Sequence, residues 1–193
     1  MKNFVRNALL VFSLLLPLGC NESTKSPSAA TTAVAGQGVP EAATKCDYSL
    51  VSASQGEEVK GPEGKVYKVI PGVAGNLDRF LIEGEKVRLA GWAAEVGQKN
   101  HPVVGVVVFV DGKCVGFAAT TIERPDVAEH FGNTALKMTG FDFKLPLMSF
   151  KNTPFEGFRV IALTKDQIAD DVKIDMANQG ENKLLWMKTT TPK

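Results

Sequence analysis

The clearest hydrophobic pattern lies near the middle of the chain, around an Asp-Gly pair. Residues 103–110 form a nearly continuous β-branched run, which is typical of a strand that is buried on both faces. Asp111 and Gly112 follow directly, and the apolar pattern resumes over residues 113–120. Because a type I′ turn needs positive φ at both central positions, Asp-Gly between two such runs predicts a β-hairpin.

Polar and apolar positions alternate in the segment upstream of this hairpin. Residues 85–93 place Val87 and Leu89 on one face, which predicts a half-buried strand. Gly84 precedes this strand and suits a turn, whereas Gly91 lies within it and predicts a β-bulge.

Four further strands are predicted downstream of the hairpin. Residues 140–145 alternate cleanly, with two phenylalanines and a leucine on one face. Residues 157–163 form another apolar run, and residues 172–175 are its predicted partner across a turn at 165–171. Residues 183–187 predict a last edge strand.

One segment departs from the strand pattern and predicts a short helix. Asp126 with Glu129 three residues later fits a capping box, and Gly132 suits a C-terminal stop. Residues 133–138 can form a further helical turn. Short strands with turn signals at regular spacing therefore predict a mainly all-β, antiparallel β-sandwich with a helical insertion near 126–138.

The first residues of the chain have the pattern of an export signal. Lys2 and Arg6 precede an apolar run over residues 8–18, and Cys20 follows it. A transmembrane helix needs about 20 apolar residues, so this run is too short to span a bilayer.

Residues 16–20, Leu-Pro-Leu-Gly-Cys, resemble the lipobox of bacterial lipoproteins. The resemblance implies cleavage before Cys20 and a diacylglyceryl group on its thiol, with two lipid chains as a stable anchor. Pro17 departs from the family pattern, which has a branched aliphatic residue there. A secretory signal followed by a chance cysteine is the alternative.

Composition divides the whole chain into four predicted parts. Residues 1–19 are the predicted signal, and residues 20–45, rich in Ala, Ser, Thr, Gly and Pro, predict a disordered tether that begins at the lipidated cysteine. Residues 46–187 suit one β-sandwich domain, and residues 188–193 a flexible tail.

The charge balance argues against a nucleic-acid partner. The chain has 22 lysines and arginines against 21 aspartates and glutamates. Removal of residues 1–19 takes away Lys2 and Arg6, which leaves 20 cations against 21 anions. A protein so close to neutrality lacks the basic surface that binds nucleic acid.

The chain contains three cysteines. If Cys20 carries lipid, Cys46 and Cys114 remain as an even pair in a compartment that permits disulfides. Two unrelated thiols, with Cys114 as a small buried hydrophobic residue, are the alternative.

Five short motifs resemble, in their order and spacing, a poorly characterised bacterial envelope module over about residues 80–175. The motifs are Gly-Trp-Ala at 91–93, Val-Phe-Val-Asp-Gly at 108–112, Arg-Pro-Asp-Val-Ala at 124–128, Phe-Gly at 131–132 and Thr-Gly-Phe at 139–141. The resemblance implies an Ig-like build in an exported or membrane-associated protein, sometimes attached to polysaccharide-assembly enzymes. The family has no established catalytic residues to transfer.

Motifs of catalysis and metal binding are missing from the sequence. It contains no nucleophile elbow, phosphate-binding loop or dinucleotide fingerprint. His101 and His130 lack neighbours at metal-ligand spacing and are interpreted as surface residues. The acidic stretch 166–175 offers oxygen ligands for Ca²⁺, but a solvated hairpin turn is the favoured interpretation because the spacing of an EF-hand is missing. We expect no metal and no cofactor beyond the lipid on Cys20.

Aromatic residues and one arginine are the candidate ligand contacts. Trp92 lies between Gly91 and Ala93 and is interpreted as core, although a sugar-stacking platform is the alternative. Trp186 is expected to be partly exposed and is a speculative ligand contact. Arg124 is the second candidate ligand contact, and an ion pair to Asp126 or Glu129 is its alternative role.

Two functions of different class follow. The first is a non-catalytic binding or structural module, anchored by lipid in the bacterial envelope, at the outer membrane if the cell is Gram-negative. Its partner is an envelope protein or a polysaccharide. The second is an envelope hydrolase, or an accessory subunit of polysaccharide assembly, that uses Asp142 or Asp175 with Arg124.

Overall fold

The computed structural model describes residues 46–96, 101–151, 153–154 and 157–174. Several sequence predictions fall outside these residues: the signal and lipidated Cys20, the tether, Asp175, the edge strand at 183–187 with Trp186, and the tail. Within the described part of the chain, no helix has the length and apolar character needed to cross a membrane.

The described residues are mainly β, as predicted, with one α-helix. The ten strands are β1 (Ser49–Ala53), β2 (Gly56–Lys60), β3 (Val66–Val69), β4 (Val73–Glu83), β5 (Lys86–Glu95), β6 (Gly105–Val110), β7 (Lys113–Ala119), β8 (Gly140–Pro146), β9 (Phe158–Leu163) and β10 (Ile168–Asp171). The helix is α1 (Pro125–His130), and 3₁₀ turns occupy Pro62–Gly64, Thr134–Met138 and Leu147–Phe150.

The strands form two sheets. Seven of them close on themselves in the order β1-β2-β3-β10-β9-β6-β7, while β4, β5 and β8 form a separate antiparallel sheet. In the closed sheet β3 and β10 pair in parallel, and β1 meets β7 at the single pair Ser49–Lys113. An Ig-like sandwich has two open sheets, whereas one of the sheets here is closed. The closure depends on pairings between segments far apart in sequence.

Strand β6 explains the continuous apolar run at the centre of the chain. Val106, Val108 and Val110 belong to a core shared with the three-stranded sheet, whereas Val107 and Phe109 belong to a second core inside the closed sheet. Every residue of β6 is buried. Since successive side chains point to opposite faces, a strand between two cores must be apolar throughout, as the sequence predicted.

The hairpin predicted at the Asp-Gly pair is confirmed. Asp111 and Gly112 connect β6 to β7 with φ values of 49° and 74°. Both are positive, as a type I′ turn requires.

The turn predicted at Gly84 is confirmed, but the predicted bulge is on the wrong strand. Gly84 has φ of 61° between β4 and β5. The register between these strands shifts between Leu77 and Arg79, so the extra residue is Asp78 on β4, opposite Gly91. Gly91 instead permits a close approach of the two backbones, because a Cβ there would meet the carbonyl oxygen of Asn76.

The strand predicted at 172–175 begins too late. The partner of β9 is β10, Ile168–Asp171, and the turn between them runs only from Thr164 to Gln167. Two hydrogen bonds tighten this turn: the Thr164 N–H donates to the Ile168 carbonyl at 2.8 Å, and the Ile168 N–H donates to the Thr164 hydroxyl at 3.1 Å. The sequence pattern did not reveal this early strand, since only its first two residues, Ile168 and Ala169, are apolar and two aspartates follow them.

Candidate functional site

The candidate site lies on the outer face of the three-stranded sheet. In β5, Val87, Leu89 and Ala93 belong to the core, so the alternating positions of Arg88 and Trp92 face away from it. The helical insertion passes beside this face. It is tied to the sheet by the Ile122–Gly140 bridge and by the Ala93 N–H, which donates to the Thr139 carbonyl at 3.0 Å.

Helix α1 starts and ends differently from the prediction. Pro125 is its first residue and Arg124 precedes it, without a side-chain cap, so the predicted capping box at Asp126 and Glu129 is wrong. The Asp126 carboxylate is engaged by Arg124 instead. Gly132, with φ of 60°, ends the helix as predicted, and Thr134–Met138 forms the further turn.

Three aromatic rings meet where α1 approaches β5. The Trp92 and Phe131 ring centroids are 6.0 Å apart with the planes inclined at 64°, and His130 and Phe131 are 4.9 Å apart at 87°. These rings, together with Asp126 and Val127, line an open depression of about 330 Å³. We call these five residues the aromatic corner.

Trp92 is the candidate site residue that the sequence interpretation misplaced. It is half-buried on the outer face and not in the core, because it has the opposite strand parity to Val87 and Leu89. Those two residues already marked the buried face, so parity within the predicted strand was the signal that identifies Trp92 as a surface residue.

Arg124 is held by two carboxylates. Its Nε and Nη2 donate to the two oxygens of Asp126 at 2.9 and 2.7 Å, and its Nη1 donates to Asp78 at 2.6 Å. The predicted ion pair with Asp126 is therefore present, whereas Glu129 is not the partner. These Arg124 hydrogen bonds hold the pKa of Asp126 below its ordinary value.

Asp78 was not identified from the sequence. It is the bulged residue of β4, and a bulge redirects a side chain out of the normal alternation. It lies 46 residues from Arg124 along the chain, and the two meet because the insertion is tied to this sheet.

A second group of charges occupies the same outer face farther along the strands. Arg88 donates to both oxygens of Asp142, and Glu83 accepts from Lys144 at 2.7 Å. The grouping of Asp142 with Arg124 that the hydrolase hypothesis invoked is therefore not found, since each has a different ionic partner. Asp175, its other candidate, lies outside the described residues.

The remaining predicted residues lie away from this face or outside the structure. Cys46 and Cys114 form a disulfide with their Cα atoms 5.7 Å apart. Cys20, the predicted lipidation site, and Trp186, the other candidate ligand contact, are among the residues that the structure does not describe.

The acidic stretch that suggested calcium serves the fold where the structure describes it. The Asp170 carboxylate accepts the Gly72 and Val73 N–H groups at 2.9 and 3.2 Å, and Asp171 accepts from Arg159 at 2.9 and 2.7 Å. Across the described ranges, no group of three or more His, Cys, Asp or Glu side chains is arranged to hold a metal ion.

Comparisons with protein-family models, with curated proteins and with solved structures give no match to this chain. The resemblances to a lipoprotein signal and to an envelope module therefore stay predictions. The chemistry of the site is a half-buried tryptophan beside a carboxylate that is held by an arginine, which is an arrangement able to bind a ring or a cation.

Proposed function

We propose that this protein is a lipid-anchored module of the bacterial envelope that binds an envelope polysaccharide, without catalysis, at the aromatic corner. The observation that carries the proposal is a tryptophan on the solvent face of a sheet, held at its edge by Phe131 and bordered by a polar network. Trp92 is not needed to fill the core, which contains the opposite face of β5.

A sugar ring fits such a site for physical reasons. One face of a pyranose is lined by C–H groups and stacks on an aromatic ring, while its hydroxyls bond to planar polar side chains at the rim. Trp92 supplies the ring and Asp126 the rim, and Arg124 fixes the orientation of Asp126 through two parallel hydrogen bonds. Little side-chain entropy is lost on binding because both groups are already ordered.

The electrostatics of the corner support binding over acid–base catalysis. A carboxyl group that donates a proton near neutral pH needs a raised pKa. The hydrogen bonds from Arg124 lower the pKa of Asp126, which keeps this carboxylate ionised. Asp126 is therefore suited to accept hydrogen bonds from a ligand.

The location within the envelope is the second part of the proposal. Its support is the pattern of residues 1–20, in which two cations and an apolar run precede a cysteine, together with the resemblance to an envelope module. Mass spectrometry of the mature N-terminus should find a diacylglyceryl group on Cys20. Cys20→Ser should move the protein from the membrane to the soluble fraction, and an unmodified mature chain would contradict the anchor.

Polysaccharide binding is tested by co-sedimentation with polysaccharide extracted from the native envelope. Trp92→Ala should weaken retention about tenfold, since loss of an aromatic contact worth about 1.5 kcal/mol corresponds to that factor. Met148→Ala is the matched control, because Met148 is 70% exposed and lies beyond the far end of β8. Equal retention of the two variants would contradict the proposed site.

A further inference from the structure

The charge of the aromatic corner distinguishes among possible sugars. None of its five lining residues is Lys or Arg, Asp126 supplies a carboxylate, and the imidazole of His130 is the one lining side chain able to carry a positive charge. Arg124, which contacts Asp126, is ion-paired to both Asp126 and Asp78, so its positive charge is already matched by carboxylates. Lys137 on the adjoining turn is paired with Glu123 at 3.1 Å.

The Asp126 carboxylate is accessible to a ligand from solvent. Arg124 takes one position on each of its oxygens, and the backbone N–H groups of Val127 and Asp126 also donate to it. Its side chain is 63% exposed, so a ligand can still reach these oxygens. The lowered pKa keeps the group charged throughout mildly acidic conditions.

The rings add attraction of the same sign. A cation within about 6 Å of an aromatic centroid is attracted by the electron-rich face, and tryptophan is the strongest such partner. Trp92 and Phe131 are inclined at 64°, so a group in the angle between them contacts one ring and lies near the other. A carboxylate or phosphate in the same place would be repelled both by the faces and by Asp126.

We propose that the aromatic corner recognises the protonated amine of an amino sugar, so that the ligand is a polysaccharide with free amino groups and not a neutral or acidic one. The sugar ring stacks on Trp92, and its ammonium group donates to the open oxygens of Asp126. This inference rests on the proposed polysaccharide-binding function and specifies its ligand class.

Calorimetry with two matched probes tests the inference on the full mature chain in detergent. Oligomers of glucosamine and of N-acetylglucosamine share one backbone and differ in whether the nitrogen is charged. At near-neutral pH, where an unperturbed imidazole is largely uncharged, we expect the glucosamine oligomer to bind at least tenfold more tightly. Its affinity should fall as salt is added, because the attraction is between charges.

Two variants of the same helix locate the effect. Asp126→Asn should reduce affinity for the glucosamine oligomer about tenfold. Glu129→Gln makes the same charge change on a residue that lines a separate groove with Pro125 and Lys137, and it should change the affinity less than twofold. Thermal unfolding of both variants establishes that they are folded, and the salt dependence of the unmodified protein gives a reading independent of mutation.

The outcomes separate the inference from the function on which it rests. Equal binding of the two oligomers, lost in Trp92→Ala, would overturn the preference for amines and leave polysaccharide binding intact. A preference for the amine that Asp126→Asn and Glu129→Gln reduce equally would overturn the assignment to Asp126. Failure of both oligomers and of the native polysaccharide to bind would overturn the proposed function itself.

Discussion

At the scale of single residues, Gly91 links the packing of the sheet to the candidate site. Its missing side chain lets β4 lie close to β5, and the bulge at Asp78 occurs opposite it. The bulge turns Asp78 towards Arg124, which in turn orients Asp126. A glycine beside Trp92 thus contributes to the geometry of the aromatic corner without touching a ligand.

Gly91→Ala should therefore destabilise the protein. The new Cβ would meet the Asn76 carbonyl and lie 2.8 Å from Cζ of Phe141, and neither the backbone nor a core ring can move away freely. Overpacking of this kind costs about 2–3 kcal/mol. Chemical denaturation measures it, with Gly72→Ala as the control, since a Cβ at Gly72 makes only an ordinary 3.5 Å contact with Ile168. Equal effects of the two substitutions would contradict the close approach.

The Arg124–Asp126 pair predicts a pH-dependent stability difference. Because the folded-state pKa of Asp126 is lowered from 3.8, the pair contributes stability above that value and loses it as pH falls through the lower folded-state pKa. Asp126→Asn should thus be destabilising at neutral pH and nearly neutral in strong acid. Urea unfolding across this range measures it, and in an Arg124→Gln background the pH-dependent difference should shrink to the smaller part that the backbone hydrogen bonds of Asp126 contribute.

At the scale of elements, the sequence predicted those features that local chemistry determines. The Asp-Gly turn and the all-apolar β6 needed no information beyond neighbouring residues, and the phenylalanines of β8 are buried as their alternation indicated. The bulge at Asp78 and the start of β10 were missed, because each depends on the strand lying opposite. The ion pair between Arg124 and Asp126 was predicted because the two residues are close in sequence. The ion pair between Arg124 and Asp78 was missed because it depends on the fold.

The two faces of β6 give a prediction at this scale. Val107→Thr and Val108→Thr keep the shape of the side chain but bury a hydroxyl in different cores, so each should cost about 1–3 kcal/mol. Val104→Thr, at a position 37% exposed, should cost much less. Denaturation midpoints compare the three. If either buried threonine had no effect on stability, the corresponding face of β6 would be in contact with water and not in a core.

At the scale of the whole molecule, the junction of β1 with β7 is the weakest pairing in the closed seven-stranded sheet. β1 and β7 share the single pair Ser49–Lys113, and the disulfide from Cys46 to Cys114 lies directly beside it. A β-sandwich was predicted because the strand pattern resembles one, whereas closure requires the parallel pairing of β3 with β10, about 100 residues apart. No local pattern in the sequence encodes that pairing.

Removal of the disulfide should therefore open the closed sheet at this junction. The bridge spans 68 residues, for which the chain-entropy model gives about 4 kcal/mol of stabilisation. Cys46→Ser with Cys114→Ser should lower the free energy of unfolding by up to that amount. Hydrogen exchange should accelerate more in β1 and β2 than in the central strands β6 and β9, and chemical reduction of the unmodified protein should reproduce both effects. Uniform exchange in all strands would contradict a local role.

Binding at the aromatic corner is tested most directly by the fluorescence of Trp92 itself. The chain contains two tryptophans, so Trp186→Phe leaves Trp92 as the single reporter. Titration with the native envelope polysaccharide should change its emission saturably, and the midpoint should match the affinity measured by co-sedimentation. Polysaccharide binding without any change in Trp92 emission would place the ligand elsewhere on the protein and contradict the proposed site.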